Sequence, residues 1–415
     1  MDLNPKWYKS FRYSLILLAI LPFLEIGWKS AGDTFAFVGY IALPLVFLFF
    51  AYNSFYYIKF NHLTRLMTTS HLFRVRLYLL LVSFLVLYGL VRGNSFSVTL
   101  SQAFLYFTFG FFLVLGVDDR VCNLTFNIAS VSICLSAICA LFTLNIKSSI
   151  PSYDPFAGED MRFTDSFAFQ FHPFFILCLP VFLFGWVSKI IWWKNLKAAS
   201  LLPYLFFELV IFKFRSSLFM MAMVFIVALL MPSSLKTKIK FIILMSIVFC
   251  GVLFWFDTQN GIVFIERMGQ FGSTGMVGYR WPESQRFFDE VGYEWLWGRG
   301  IGGGFNLGNL FHMASFVDDS NWQILHIGWF TFLLKGGIPF LLITLSFWIA
   351  GIRQKYQWSL ENKYNVVAKF WCPIMFVIWL LNPFLQNFSA AFVLGLTFLL
   401  LARFGKRPMV IETVR

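Results

Sequence analysis

Charge is what this sequence has least of. Only 13% of its 415 residues are charged, against about 25% in an ordinary soluble domain. There are five histidines, and 20 acidic residues against 33 basic ones. Cysteine is sparse as well. Cys122, Cys134, Cys139, Cys178, Cys250 and Cys372 all fall in apolar stretches or near the expected inner face. None lies in an outward loop, so no disulfide framework is expected. CxxC and HExxH spacings are missing, and no structural metal site is expected. No internal repeat and no low-complexity linker stands out.

What fills the space is apolar. Hydrophobic residues make up 59% of the chain, and phenylalanine alone accounts for 56. A bilayer accommodates that much apolar surface, and a spanning helix needs roughly 20 such residues. The fold class expected is an all-α polytopic membrane protein of about twelve transmembrane helices. The candidate spans centre near 11–28, 35–58, 76–91, 98–117, 122–145, 167–188, 198–213, 215–232, 240–257, 323–350, 366–382 and 386–402. Lys213 and Arg215 alone separate the seventh from the eighth. With the N-terminus inside, about two thirds of the Lys and Arg fall in inside segments, as the positive-inside rule requires. Both termini are then inside. Residues 1–415 read as a single integral membrane domain. One long hydrophilic loop, 258–322, faces away from the cytoplasm and carries short amphipathic helices. The first span reads as a retained anchor rather than a cleaved signal. The net charge of +13 serves topology and contact with anionic lipid headgroups, and no nucleic-acid partner is expected.

Charges inside a bilayer are costly and draw attention to themselves. Glu208, Lys213, Arg215, Lys335 and His326 are such residues. Each has two readings. Arg215 either snorkels to the interface or meets a ligand. His326 is either an interface histidine or a catalytic one. Glu208 either pairs with Lys213 or Arg215 or lines a site, and Lys335 either snorkels or pairs with a buried acid. Arg215 and His326 flank the same outer face, with the long loop running between their spans.

The loop has its own pattern. In Tyr279-Arg280-Trp281-Pro282, Pro282 suits a helix first turn. Phe287, Phe288 and Val291 supply an apolar face for a short interfacial helix. Arg280 would stand at its start, near free amides that favour anions. Trp295-Leu296-Trp297 follows, then the glycine stretch Gly298-Arg299-Gly300-Ile301-Gly302-Gly303-Gly304. The tryptophans suit headgroup depth or stacking on sugars, and the glycines a tight, flexible turn. Gly298, Gly300 and Gly303 spell GxGxxG, but a dinucleotide site needs a βαβ unit around it, and none fits here.

These landmarks, in this order, resemble the bacterial O-antigen ligase and O-antigen polymerase superfamily. The strongest likeness is His326-Ile327-Gly328 running to Gly336-Gly337, similar to a family pattern of a His, usually followed by Asn, with a Gly eleven residues on. Ile327 departs from that Asn. Phe214-Arg215-Ser216-Ser217 looks like the family's Arg opening a span. Gly278-Tyr279-Arg280-Trp281 looks like its loop Arg, and Trp297-Gly298-Arg299-Gly300 like the glycine turn after it. Arg162-Phe163-Thr164 with His172-Pro173 resembles an Arg-to-Pro segment, at longer spacing and without its Gly. The likeness runs from about residue 160 to 350.

The resemblance implies a membrane glycosyltransferase in the bacterial inner membrane, with its active site facing the periplasm. Its donor would be an undecaprenyl-diphosphate-linked oligosaccharide. No metal and no cofactor would be needed, and a flippase and a chain-length regulator would be partners. Arg forks bind phosphate well, so Arg215 and Arg280 would stabilise the departing diphosphate. His326 would be the base for the acceptor hydroxyl. Arg162, Arg286, Arg299, Glu208 and Trp297 would contact substrate. Repeat-unit polymerisation is the leading reading, and ligation of the glycan to lipid A core is the alternative. A flippase or other transporter of lipid-linked sugars, which should show repeated halves, and a membrane acyltransferase are the competing classes.

Overall fold

The computed structural model describes residues 5–31, 33–148, 276–306, 325, 327–353, 363–381 and 389–407, with scattered positions between 180 and 254. Nine α-helices lie among the described residues. They are α1 (Pro5–Ala31), α2 (Asp33–Phe60), α3 (Thr69–Val91), α4 (Phe96–Leu115), α5 (Asp119–Ser148), α6 (Met276–Val291), α7 (Gly328–Arg353), α8 (Lys363–Leu381) and α9 (Ser389–Ala402). No strand occurs among these residues, only an isolated bridge between Met67 and Lys406. The chain is thus all-α where described. Three helices, Thr69–Val91, Phe96–Leu115 and Gly328–Gly351, are long and apolar enough to cross a membrane. The expected spans at 167–188, 198–213, 215–232 and 240–257 lie outside the described residues or touch them only at isolated positions.

The chain divides into two compact units. The first comprises Met1–Ile128, Val291–Phe305 and Gln323–Arg415. In it α1 pairs with α2, and α4 packs against α2, α3 and α9. Helix α7 packs against α3 and α8. The second comprises Ala129–Glu290 and Asn306–Trp322, and its clearest described element is α6.

Helix α3 shows why these sequences make lipid-facing helices. Thr68 caps it, accepting a hydrogen bond from His71 N at 3.3 Å, which satisfies a first-turn amide. His71, Val75, Tyr78, Val82, Leu85 and Gly89 form its buried stripe. Phe73, Leu77, Leu80, Phe84, Leu87 and Val91 form an exposed stripe with the same 4-3-4-3-4 spacing. The outward face is therefore the more apolar one, the reverse of a water-soluble helix.

Aromatic rings fill the contacts that α4 makes. Phe109 stacks on Phe398 of α9 at 4.5 Å, Phe112 meets Phe50 of α2 at 5.4 Å, and Tyr106 meets Phe332 and Phe340 of α7. Glycine permits the closest approach, since a Cβ on Gly116 would strike the Leu399 carbonyl and Ala402 of α9. Dispersion and close packing hold helices together where lipid removes the hydrophobic drive between them.

The end of the bundle where α4 finishes is closed by the segment after α9. Arg403 is 1% exposed. Its guanidinium donates to Asn365 Oδ1 (3.0 Å), Gly116 O (3.0 Å) and Val117 O (3.3 Å), and pairs with Asp119 at 2.8 Å. Gly116 O is one of the carbonyls that a helix end leaves without an intrahelical partner. Lys406 Nζ adds a 3.1 Å bond to Asp119, and Thr68 N donates to Gly405 O at 2.8 Å. Arg403→Leu strands those carbonyls. It is expected to lower unfolding stability by about 3 kcal/mol, measured as the SDS midpoint of the purified protein in mixed micelles.

Candidate functional site at the loop end of the bundle

The opposite end of the first unit is built around a break in α7. After Lys335 the backbone leaves the helix at Gly336 (φ −144°, ψ 17°) and Gly337 (φ 62°, ψ −158°), then resumes. Pro339 accounts for this. Its ring would collide with the carbonyl four residues back, that of Lys335, and it has no N–H to donate. Gly337 absorbs the turn in a region of positive φ that a side chain would make costly. The expected span at 323–350 thus carries a kink, and Gly328–Gly351 is still long and apolar enough to cross a membrane.

The glycine stretch docks on this break. It follows a 3-10 turn, Gly292–Leu296, and Gly298, Gly300 and Gly302 all have φ near 80°. A Cβ on Gly298 would sit 2.5 Å from Gly336 N, so backbone meets backbone there. Arg299 N donates to Leu334 O at 2.6 Å. In an unbroken helix that carbonyl would accept from residue 338, so the turn satisfies an acceptor that the break releases. From α7 the Lys335 ammonium donates to Gly303 O at 2.6 Å.

The other wall comes from α3, α4 and the link between them. Ile301 N donates to Leu85 O (3.1 Å) and Gly302 N to Gln102 Oε1 (3.0 Å). Asn94 Nδ2 donates to Arg299 O (3.0 Å) and Ile301 O (3.2 Å), and Thr99 Oγ1 to Ile301 O (3.2 Å). The turn expected to be tight and flexible is tight and tied on both sides. Its backbone polar groups, buried away from water, need those partners.

Charge gathers beside it. Glu294 bridges two guanidinium groups, taking Arg92 Nη2 on Oε1 at 2.7 Å and Arg299 Nε on Oε2 at 2.6 Å. Arg299 Nη1 also donates to Gly304 O at 2.9 Å. Burial pushes the Glu294 carboxyl upward, but the hydrogen bonds from Arg92 and Arg299 outweigh it and hold the group below its ordinary value. Trp297, next to this cluster, is 70% exposed.

The predicted site residues fall into three sets. His326, Arg215, Arg162 and Glu208 lie outside the described residues. Leu325, one position before His326, is tied to the first turn of α7 by a 3.1 Å bond from its N–H to Thr331 Oγ1. Arg280 lies in α6, and only its backbone is described. That helix begins at Met276, six residues before Pro282, so Pro282 sits inside it rather than in its first turn, and Arg280 is within the helix rather than at its start. The pattern around it holds, with Phe287 and Val291 buried and Phe288 partly exposed. Arg286 Nε donates to Asn306 O at 3.3 Å. Trp297 and Arg299 are the two predicted residues that the described structure brings together.

Arg92, Asn94, Gln102 and Glu294 also shape the turn and were not singled out from sequence. The available signal was a short α3–α4 link carrying one cation, opposite a loop that offers one carboxylate just before its tryptophans. Among the described residues no group of three or more His, Cys, Asp or Glu is placed to hold a metal. No protein-family model, no curated protein and no solved structure matches the chain.

Because the folded-state value of Glu294 is depressed, its contribution is present above its ordinary value of 4.5 and lost as pH falls through the lower folded value. Glu294→Gln is expected to cost at most about 1 kcal/mol at neutral pH, since the pairs are part-exposed. It should also remove the acid-induced loosening of residues 292–305, read by limited proteolysis between pH 6 and pH 3.

Proposed function

We propose that this chain is a membrane glycosyltransferase of the bacterial inner membrane. In this reading it polymerises polyprenyl-diphosphate-linked O-antigen or related repeat units at the periplasmic face, without a metal. The observation that carries the reading is the seating of the Trp297–Gly304 turn against the break in α7, the helix that begins two residues after His326. Two elements of the resemblance, the glycine turn and the Gly-Gly of α7, then meet at one place. Two guanidinium groups share one carboxylate there, which leaves local positive charge suited to an anionic donor.

In the reaction, the acceptor sugar hydroxyl attacks the anomeric carbon of the donor glycan. The bond from that carbon to the diphosphate oxygen breaks, and polyprenyl diphosphate leaves. His326 takes the hydroxyl proton. Arg215 and Arg280 stabilise charge gathering on the leaving group. Trp297, exposed beside the turn, offers a ring face for a sugar.

Deleting the gene distinguishes polymerase from ligase. A lipopolysaccharide ladder reduced to one capped repeat means polymerase, and loss of every capped form means ligase. An unaltered ladder refutes an O-antigen role. Arg215→Ala, Arg280→Ala and His326→Ala are each expected to insert normally and abolish polymer, and normal ladders from all three would sink the assignment.

A transporter of lipid-linked sugars is the second reading, and the broken α7 favours it, because interrupted helices line many transport sites. Reconstituted vesicles separate the two. Movement of a fluorescent lipid-linked sugar between leaflets with no release of polyprenyl diphosphate would establish the transporter.

A further inference from the structure

We propose that Lys335 is a positioning residue, the side chain by which α7 grips the glycine turn and holds it fixed against the break in the helix. Lys335 is 1% exposed. Its one bond among the described residues is to Gly303 O, and no described carboxylate pairs with it. A buried ammonium is an expensive choice, and a leucine or methionine would fill the same volume at lower cost. The charge-assisted bond to Gly303 O is what the ammonium adds.

That bond has a definite place in the geometry. The turn stands between two walls. Toward α3 and α4 it is held by the Leu85 carbonyl and by Asn94, Thr99 and Gln102. Toward α7 it is held by the backbone bond from Arg299 N to Leu334 O and by Lys335. Lys335 is thus the α7 side chain in this seat, one residue along from the carbonyl that Arg299 N reaches. Without it the turn keeps its α3–α4 attachments, and its hold on α7 falls to the single backbone bond from Arg299 N. The same turn carries Trp297 and Arg299, and α7 opens just after His326. The catalytic consequence rests on the function proposed above; the mechanical one does not.

Two amides two residues apart report the two walls separately. Hydrogen exchange of the full chain in nanodiscs follows the Arg299 N–H, bound to α7, and the Ile301 N–H, bound to α3. Lys335→Met is expected to speed Arg299 exchange at least tenfold while Ile301 and the amides of α3 and α4 change less than twofold. A general loss of stability would speed all of them together. Equal exchange in wild type and variant overturns the proposal, and so does a uniform increase. Under the proposed activity, polymer formation in the variant should fall at least tenfold in kcat with little change in KM for the donor. Faster Arg299 exchange with unchanged kcat overturns the positioning role. If wild-type protein makes no polymer, the functional reading fails and the exchange result stands on its own.

A second approach keeps the lysine and disturbs its seat, in case Lys335→Met does not insert. In wild type, a membrane-permeant amine reagent should leave Lys335 unlabelled, as read by peptide mass spectrometry. Gly298→Ala, which pushes the turn off the break, should expose Lys335 and raise its labelling at least tenfold. Rapid labelling in wild type, or none in Gly298→Ala, overturns the proposal.

Discussion

The interruption of α7 at Gly336 and Gly337 is the constraint on which the loop end depends. A helix that stops within an apolar surrounding releases carbonyls and amides that have no water to turn to. Something must satisfy them, and here the glycine turn does. Arg299 N meets the Leu334 carbonyl, and the backbone of Gly298 lies against that of Gly336. Glycine is needed on both sides of this contact for the same reason. At 2.5 Å no Cβ fits, and Gly298 and Gly337 both stand at positive φ. Cause therefore runs from Pro339 to the break, from the break to the turn, and from the turn to the position of Trp297.

The same rule governs the other end by different means. There the helices finish normally, and the orphan carbonyls at the end of α4 are met by the buried guanidinium of Arg403. The two ends carry opposite styles of closure. One is backbone against backbone with glycines, and the other is a long cation reaching to helix ends, where the negative end of the helix dipole favours it. Between them, α3 presents rings and leucines outward and His71, Tyr78 and Gly89 inward.

Much of the helical layout was legible in sequence. The windows at 11–28, 35–58, 76–91 and 122–145 each lie inside a described helix, and 98–117 overruns the end of α4 by two residues, because apolar runs bounded by charge or glycine are a strong signal. The break in α7 was hidden for a physical reason. Hydropathy averages over a window, and Gly-Gly-Ile-Pro is apolar enough to pass unnoticed inside it. The start of α6 was misplaced because proline is welcome in a first turn, yet the helix runs through Pro282. Lys335 was noticed as a charge in a span. Its partner is a backbone carbonyl more than thirty residues away in sequence, and no spacing rule points to such a partner.

The loop arginines differ by position. Arg299 looked like a contact for an anionic donor, and the structure places its guanidinium on Glu294 and Gly304 O, inside the turn. A group already holding two partners contributes to a ligand chiefly through field and shape. The proposed diphosphate chemistry therefore leans on Arg280 and Arg215, with Arg299 and Arg92 as the scaffold that sets the turn. This division follows from Glu294, since one carboxylate fixing two guanidiniums turns a pair of mobile cations into a fixed edge. A fixed edge beside an exposed tryptophan is a more useful neighbour for a sugar diphosphate than two free arginines, because its ordering entropy is met in folding rather than at binding.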